Sequence, residues 1–253
     1  MLSINKIESF VKNEAKHTES IIHDFSHLKR TAIGARWFVK MMNGNKHDQD
    51  IAYIAGLLHD IVRPTSEKIC HAKASADKSR AILKQFNINH DDSERIIEAV
   101  ACHRTKHEWK DALHQSIFLA DKILEQMGAV VVFRRCMYIG ECEDYSNKDP
   151  IESIVNHFQK RLDKFTPDEF NKRFLRFARK QYKWPHDFAK AFREKQQWAL
   201  DIGIYFFKAG RDKKNFEKAI FGYKSQTKEQ SLIHKQAVLY LKGKKFKDFE
   251  RLL

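Results

Sequence analysis

The sequence predicts an all-α protein, because it contains few residues that break helices and many long amphipathic stretches. The 253 residues include only 4 prolines and 9 glycines. Apolar residues recur every three or four positions over most of the chain, which is the period of an α-helix. Clusters of β-branched residues, which favour strands, are few. We therefore expect a fold built from helices.

The first part of the chain contains five expected helices, at about 4–16, 20–42, 49–61, 72–86 and 91–103. The first is amphipathic, with Ile7 and Val11 on its apolar face. The third should end near Pro64, because proline disfavours helical backbone in the residue before it. Asp91 or Asp92 is the expected N-cap of the fifth helix.

The second part of the chain is expected to be helical at about 112–140, from 150, from 166, at 186–208 and twice within 214–253. Gly128 should break the first of these stretches, and Gly210 should end the fourth. Pro150 takes the first position of its helix, where its missing N–H costs nothing. In "TPDE", Thr166 and Glu169 can form a capping box.

The cysteines and the apolar runs indicate a soluble, cytoplasmic protein. Cys70, Cys102, Cys136 and Cys142 are irregularly spaced and too few for a disulfide framework or a zinc ribbon, so we expect reduced thiols. The N-terminal residues lack the apolar segment of a secretory signal. No apolar run approaches the ~20 residues that a membrane span needs.

The positive charge is concentrated in the C-terminal part of the chain. Residues 1–150 contain 22 Lys and Arg against 21 Asp and Glu, a net charge of +1, whereas residues 151–253 contain 25 against 12, a net charge of +13. A polyanion such as nucleic acid is a possible partner of such a region, through mainly electrostatic contacts. The alternative is a solvated basic surface.

Histidine and aspartate occur within apolar stretches at four places that point to a metal site. His27 lies in "DFSHLKR", the pair His59–Asp60 closes "AGLLHD", and Asp121 lies in "SIFLADKIL". A buried carboxylate is costly without a cation or a hydrogen-bond partner. Two imidazoles and two carboxylates suit a divalent ion such as Mn, Fe, Co, Ni or Mg, and differ from the thiolate set of structural zinc.

The order H…HD…D on successive helices resembles the HD-domain superfamily of metal-dependent phosphohydrolases, in particular its small bacterial hydrolases. The resemblance is carried by "HDFSHLKRT", "IAGLLHDI", "CHAKASADKSRAIL", "IIEAVACHR" and "IFLADKI", and it covers about residues 20–135. It implies an HD-domain helical bundle with additional basic C-terminal helices, divided into a hydrolase domain at 1–210 and a basic extension at 211–253. It also implies that His27, His59, Asp60 and Asp121 are the metal ligands.

His71 and His103 match two further positions of the superfamily. Members with two metal ions, or with a second pair of histidines facing the substrate, carry histidine at these places. The alternative is that His71 caps a helix and His103 ends one. The chain departs from the nucleotide pyrophosphohydrolase pattern at Leu119 and Leu124, where those enzymes often carry acids, so Asp121 is expected to be the only acid of this motif.

The resemblance implies one or two divalent ions per chain that polarise a phosphoryl group and activate water. Asp60 would bridge the ions if both are present, and Arg30, one turn after His27, would contact the phosphate. Further candidate cations are Arg63, Arg104, Lys106, Lys122 and Arg134. The expected catalytic residues are Asp60, His71, His103 and Arg30.

The predicted function is divalent-metal-dependent hydrolysis of a nucleotide or another small phosphate ester or anhydride. Two alternatives stay open at this point. One is a di-iron oxygenase of the same superfamily, and the other is a nucleic-acid-binding or scaffold protein in which the HD site is structural.

Overall fold

A computed structural model describes residues 3–66, 68–104, 109–162 and 172–243. Within these ranges the chain forms α-helices, short 3-10 and π turns and no strand, so the all-α prediction is confirmed. The expected helix start at 166–169 lies outside the described residues. The chain divides into two compact units, Met1–Glu125 and Gln126–Leu253. A functional boundary near Gly210 stays a prediction.

In the part of the first unit that the structure describes there are six α-helices: α1 Ile4–Glu14, α2 Phe25–Met41, α3 Lys46–Leu58, α4 His71–Gln85, α5 His90–Cys102 and α6 Ala112–Phe118. A π turn, Leu119–Ile123, and a 3-10 turn, Leu124–Gln126, continue from α6.

Three predicted helix boundaries in this unit were wrong. Helix α2 begins at Phe25 and not near residue 20, because the Asp24 side chain accepts a hydrogen bond from the His27 N–H at 3.1 Å and caps the helix there. Helix α3 ends at Leu58, so the His–Asp pair follows the helix and does not lie within it. The N-cap of α5 is Asn89, whose side chain accepts from the Asp92 N–H.

Helices α2 and α3 pack with their backbones in close contact, because Gly56 has no side chain. A Cβ atom added at Gly56 would lie 2.5 Å from Ala32 Cα and 2.8 Å from Ala32 N. This close approach matters for the site, because the carbonyl of Gly56 accepts the hydrogen bond from His59 Nδ1 at 2.8 Å.

Gly56→Ala is expected to destabilise the protein by about 1–3 kcal/mol, because the new methyl group forces α2 and α3 apart. Urea denaturation followed by circular dichroism measures the change. Gly222→Ala is the matched control, because a Cβ there meets nothing within 4 Å. Equal urea midpoints for the two variants would contradict the close packing of α2 on α3.

The second unit also contains six α-helices within the described residues: α7 Val130–Glu141, α8 Pro150–Leu162, α9 Lys172–Arg193, α10 Gln197–Arg211, α11 Phe216–Gly222 and α12 Lys228–Leu241. The predicted break at Gly128 is confirmed, since its φ is +85°. Pro150 is the first residue of α8, as expected, and the side chain of Asp149 caps that helix through the Glu152 N–H.

Two predictions for this unit were wrong. The single helix expected at 186–208 is two helices, because α9 ends at Arg193 and Lys195 takes a left-handed conformation with φ +55°. Gly210 does not end α10, which continues to Arg211. Its role is packing, because a Cβ at Gly210 would lie 2.1 Å from the carbonyl oxygen of Met137 in α7.

The last two helices belong to the core of the second unit, since Phe216, Ile220, Ile233 and Ala237 are buried. The four cysteines are free thiols, as predicted. Among the described residues, no helix combines the length and the apolar composition that crossing a membrane requires.

Candidate metal centre

Six of the predicted site residues meet in the interior of the first unit. His27 lies in the first turn of α2, His59 and Asp60 follow α3, His71 begins α4, His103 follows α5, and Asp121 lies in the π turn after α6. Their exposed fractions lie between 0% and 5%. Five separate segments thus bring four imidazoles and two carboxylates to one buried place.

Asp60 lies between two pairs of histidines and turns one carboxylate oxygen to each pair. Its Oδ2 atom is 3.6 Å from His59 Nε2 and 3.9 Å from His27 Nε2. Its Oδ1 atom is 3.4 Å from His71 Nε2 and 3.5 Å from His103 Nε2. This is the arrangement in which one carboxylate can serve two neighbouring ion positions.

Asp121 adds a second carboxylate to the first of these positions. Its Oδ1 atom is 3.7 Å from His27 Nε2 and 3.8 Å from His59 Nε2, and its Oδ2 atom is 4.0 Å from His103 Nε2. The π turn that carries Asp121 is a rare form of helix that occurs often at functional sites.

The donor set fits a divalent ion. Two atoms that bind one ion at about 2.1 Å each lie roughly 3 to 4 Å apart, as these atoms do. The donors of His27, His59 and Asp121 lie within 4.8 Å of one another, and so do those of Asp60, His71 and His103. Among the residues that the structure describes, His59 Nε2, His103 Nε2 and Asp60 Oδ1 are buried without a hydrogen-bond partner. Such atoms are costly, and a shared cation removes the cost.

Three of the imidazoles are oriented as metal ligands by the contacts of their Nδ1 atoms. His59 Nδ1 donates to the Gly56 carbonyl at 2.8 Å, and His103 Nδ1 donates to the Val100 carbonyl at 2.6 Å. His27 Nδ1 donates to Glu125 Oε2 at 3.0 Å. A neutral imidazole that donates through Nδ1 has a lone pair on Nε2. In all three residues, that lone pair is on the atom that faces the carboxylates.

Glu125 is a site residue that the sequence analysis missed, and the prediction that Asp121 is the only acid of its motif was wrong. The Glu125 side chain is fully buried, and Arg30 Nε donates to its two oxygens at 3.2 Å each. The π turn contains one residue more than an α-helical turn. A second acid thus faces this centre from position 125, the residue after Leu124.

Arg30 lies beside this centre, but the structure places its Nε atom on Glu125. A contact between Arg30 and a substrate phosphate stays a prediction. Its observed role is to hold the carboxylate that in turn holds His27.

His23 is the second residue that the sequence analysis missed. Its Nε2 atom is 3.9 Å from Asp60 Oδ2, and its ring packs edge-on against His27 with the centroids 5.1 Å apart. Ser20 Oγ is 2.7 Å from its Nδ1 atom. Its sequence signals were its place four residues before His27 and its position at the start of "HDFSHLKRT", one of the stretches that carry the family resemblance.

Two of the predicted cations lie at the centre. Arg63 Nε is 3.7 Å from Asp60 Oδ2, and an Nη1 atom of the same guanidinium contacts His71 Nδ1. Lys122 Nζ is 2.5 Å from Asp121 Oδ2. Of the other predicted cations, Arg104 is exposed, Arg134 is buried in the second unit, and Lys106 lies outside the described residues.

The protonation states suit metal binding. Burial by itself raises the pKa of Asp60, but His59 and Arg63 beside it hold that pKa well below its usual value. Burial also raises the pKa of Asp121, but the positive charge of Lys122 beside it holds that pKa well below its usual value. Burial lowers the pKa of His71 to about 2. The carboxylates are therefore ionised and the buried imidazole is neutral, which are the forms that bind metals.

Comparisons with known proteins agree with the fold of the chain. Residues 24–126 match the family model of the HD domain. Two crystal structures of YpgQ from Bacillus subtilis, one of them in complex with ADP, are similar to this chain with a TM-score of 0.55 each. The sequence identities are 19% and 20%. Each match covers 78% of this chain, and the matches cover 96% and 100% of the two YpgQ chains. At that identity the likeness shows the fold. A comparison of the sequence with curated proteins found no match.

Proposed function

Because residues 24–126 form an HD domain, a module of the metal-dependent hydrolase superfamily, we propose that this chain is a divalent-metal-dependent phosphohydrolase. Its substrate is a nucleotide or another small phosphate ester or anhydride. The observation that carries the proposal is the position of Asp60, with Oδ2 toward His27 and His59 and Oδ1 toward His71 and His103.

The chemistry follows from this set of side chains. His27, His59, Asp60 and Asp121 would hold a divalent ion, which would polarise the phosphoryl group of a substrate and lower the pKa of a bound water. The chain contributes the orientation of the ligands, because backbone carbonyls and Glu125 fix the histidine rings. The rings are buried, which excludes bulk water and strengthens the electrostatic contacts.

Phosphate is favoured over oxygen as the substrate because cations border the carboxylates. Arg63 and Lys122 lie 3.7 Å and 2.5 Å from Asp60 and Asp121, and both are less than one fifth exposed. Guanidinium and ammonium groups bind phosphate oxygens through charge-assisted hydrogen bonds. That the similar YpgQ was crystallised with ADP supports a nucleotide as the class of substrate.

The proposed activity is expected to appear as metal-dependent phosphate release. Protein purified without chelator should retain about one or two divalent ions per chain by elemental analysis. It should release phosphate or pyrophosphate from at least one nucleotide, and removal of the metal with EDTA should abolish the release until Mn²⁺ is restored. Metal-loaded protein that consumes oxygen and releases no phosphate would identify the di-iron alternative instead.

Binding of nucleic acid through the C-terminal part stays a prediction. Helix α9 exposes Lys172, Arg176, Arg179, Lys180 and Lys183 at its surface, and no acid occurs in residues 172–186. Such a surface fits a polyanion or solvent. Salt-dependent retention of DNA or RNA by the full chain is the measurement that separates them, because displaced counterions make nucleic-acid binding weaken steeply with salt. A cytoplasmic location likewise stays a prediction.

A further inference from the structure

Arg63 contacts both halves of the candidate metal centre. It lies three residues after Asp60, and its side chain is 12% exposed. Its Nε atom is 3.7 Å from Asp60 Oδ2, and its Nη1 atom contacts the Nδ1 atom of His71. No other described histidine of the centre has a guanidinium at its Nδ1 atom, since His27, His59 and His103 meet a carboxylate or a carbonyl there.

This contact gives His71 a different role from the other three histidines. A guanidinium only donates hydrogen bonds, so His71 Nδ1 must accept. A neutral imidazole whose Nδ1 accepts carries its hydrogen on Nε2. In His71, Nε2 is the atom that lies 3.4 Å from Asp60 Oδ1. A nitrogen that carries a hydrogen cannot bind a metal, so His71 Nε2 has no lone pair to offer an ion while Arg63 stays in place.

We propose that Arg63 decides whether His71 is a metal ligand, and that an anionic phosphate group completes the second ion position by drawing Arg63 away. The proposal rests on the function proposed above. Once Arg63 leaves, the His71 hydrogen can move to Nδ1, and a lone pair on Nε2 then faces Asp60 Oδ1. The charge of the ring does not change in this step.

Phosphate is the ligand that can compete for Arg63. The contact with His71 is one hydrogen bond to a neutral ring, and the Asp60 oxygen at 3.7 Å is beyond hydrogen-bond distance, whereas a phosphate accepts two parallel charge-assisted bonds from a guanidinium. Arg63 is partly exposed, so an incoming anion can reach it.

The two ion positions are therefore unequal. The first, at His27, His59, Asp60 and Asp121, has both of its histidines oriented as ligands, so it would bind an ion without phosphate. The second, at Asp60, His71 and His103, lacks one ligand until Arg63 moves. Substrate and second ion thus bind cooperatively, with each favouring the other.

Calorimetric titration with Mn²⁺ alone, and with Mn²⁺ plus inorganic phosphate, tests this proposal without measuring activity. Wild-type protein should bind one ion tightly, and phosphate should tighten the second ion by about 10-fold or more. Without phosphate, Arg63→Gln should bind the second ion as tightly as wild-type protein does with phosphate, because a Gln carbonyl can accept from His71 Nδ1. Phosphate should then add little.

Two controls separate the role of His71 from a simple change of charge. Lys122→Gln removes a positive charge from the same centre and leaves the contact between Arg63 and His71 intact. If Lys122→Gln tightens the second ion as much as Arg63→Gln does, the effect is electrostatic and the proposal is wrong. Addition of His71→Ala to Arg63→Gln should abolish the second ion, and an unchanged second ion would also overturn the proposal.

Failure of this proposal differs from failure of the proposed function. If wild-type protein binds no Mn²⁺ at all, the metal-dependent function itself is wrong. If wild-type protein binds one ion, but neither phosphate nor Arg63→Gln affects the second, only the role of Arg63 is wrong. The absence of a phosphate effect on wild-type protein would overturn the role of Arg63 even if Arg63→Gln does not fold.

Discussion

Asp60→Asn is expected to abolish both metal retention and hydrolysis. The change keeps the shape of the side chain and removes the charge that faces all four histidines. The Asn amide group also places N–H donors where Nε2 lone pairs of His59 or His103 need a cation. Loss of an ion that supplies several kcal/mol of transition-state stabilisation lowers kcat by roughly 1,000-fold or more.

Elemental analysis after gel filtration and an assay of phosphate release measure the two effects. Thermal denaturation adds a third, since a ligand at 100 times its Kd stabilises a protein by about 2.7 kcal/mol. The increase in Tm that Mn²⁺ produces in wild-type protein should therefore disappear in Asp60→Asn.

Asp77→Asn is the matched control for this variant. It removes an exposed carboxylate from α4 and should retain metal, activity and the Mn²⁺-dependent Tm. Full metal content together with wild-type turnover in Asp60→Asn would show that the centre is wrongly placed.

The ligand set could be predicted from the sequence because its members violate the apolar pattern around them. Asp60 closes a run of buried apolar residues, and Asp121 interrupts another. A buried carboxylate needs a cation or a hydrogen-bond donor, so each residue indicated a bound partner at its position. The histidines at positions where the HD-domain superfamily carries metal ligands completed the predicted set. The structure brings all six residues together, and whether they bind metal stays a prediction.

Glu125 and His23 could not be predicted in the same way. Glu125 reaches His27 only because a π turn adds one residue to the helix after Asp121, whereas a periodic pattern assumes a regular helix. His23 lies in a turn before α2 that the pattern had assigned to the helix. Its contact with Asp60 depends on the cap at Asp24, which sets where the chain enters the helix.

The missed helix break in the second unit has a similar cause. The chain turns between α9 and α10 at Lys195, whose φ of +55° is unusual for a residue with a side chain. Neither glycine nor proline marks this position, so the local sequence gave no sign of it. Gly210 gave a misleading sign, because a glycine required for close helix packing looks the same as one that ends a helix.

Glu125→Gln is expected to weaken binding of the first metal ion by about 10–100-fold and to leave the fold intact. The carboxylate of Glu125 accepts from His27 Nδ1, which leaves the lone pair of the ring on Nε2 and makes that atom a stronger ligand. It also accepts from Arg30 through both oxygens, at 3.2 Å each. Gln offers only one acceptor oxygen, so either His27 or Arg30 must face an N–H group.

The dependence of the activity on Mn²⁺ separates this role from a folding defect. Activity of Glu125→Gln should recover at high Mn²⁺, because the ligands themselves are all present, whereas a misfolded protein would not recover. Arg30→Met should weaken the ion less, since the Glu125 carboxylate still reaches His27. The double variant should bind Mn²⁺ about as weakly as Glu125→Gln alone, because Arg30 acts through Glu125. An affinity of Glu125→Gln within about twofold of wild type would mean that the orientation of His27 comes from its helix and not from this carboxylate.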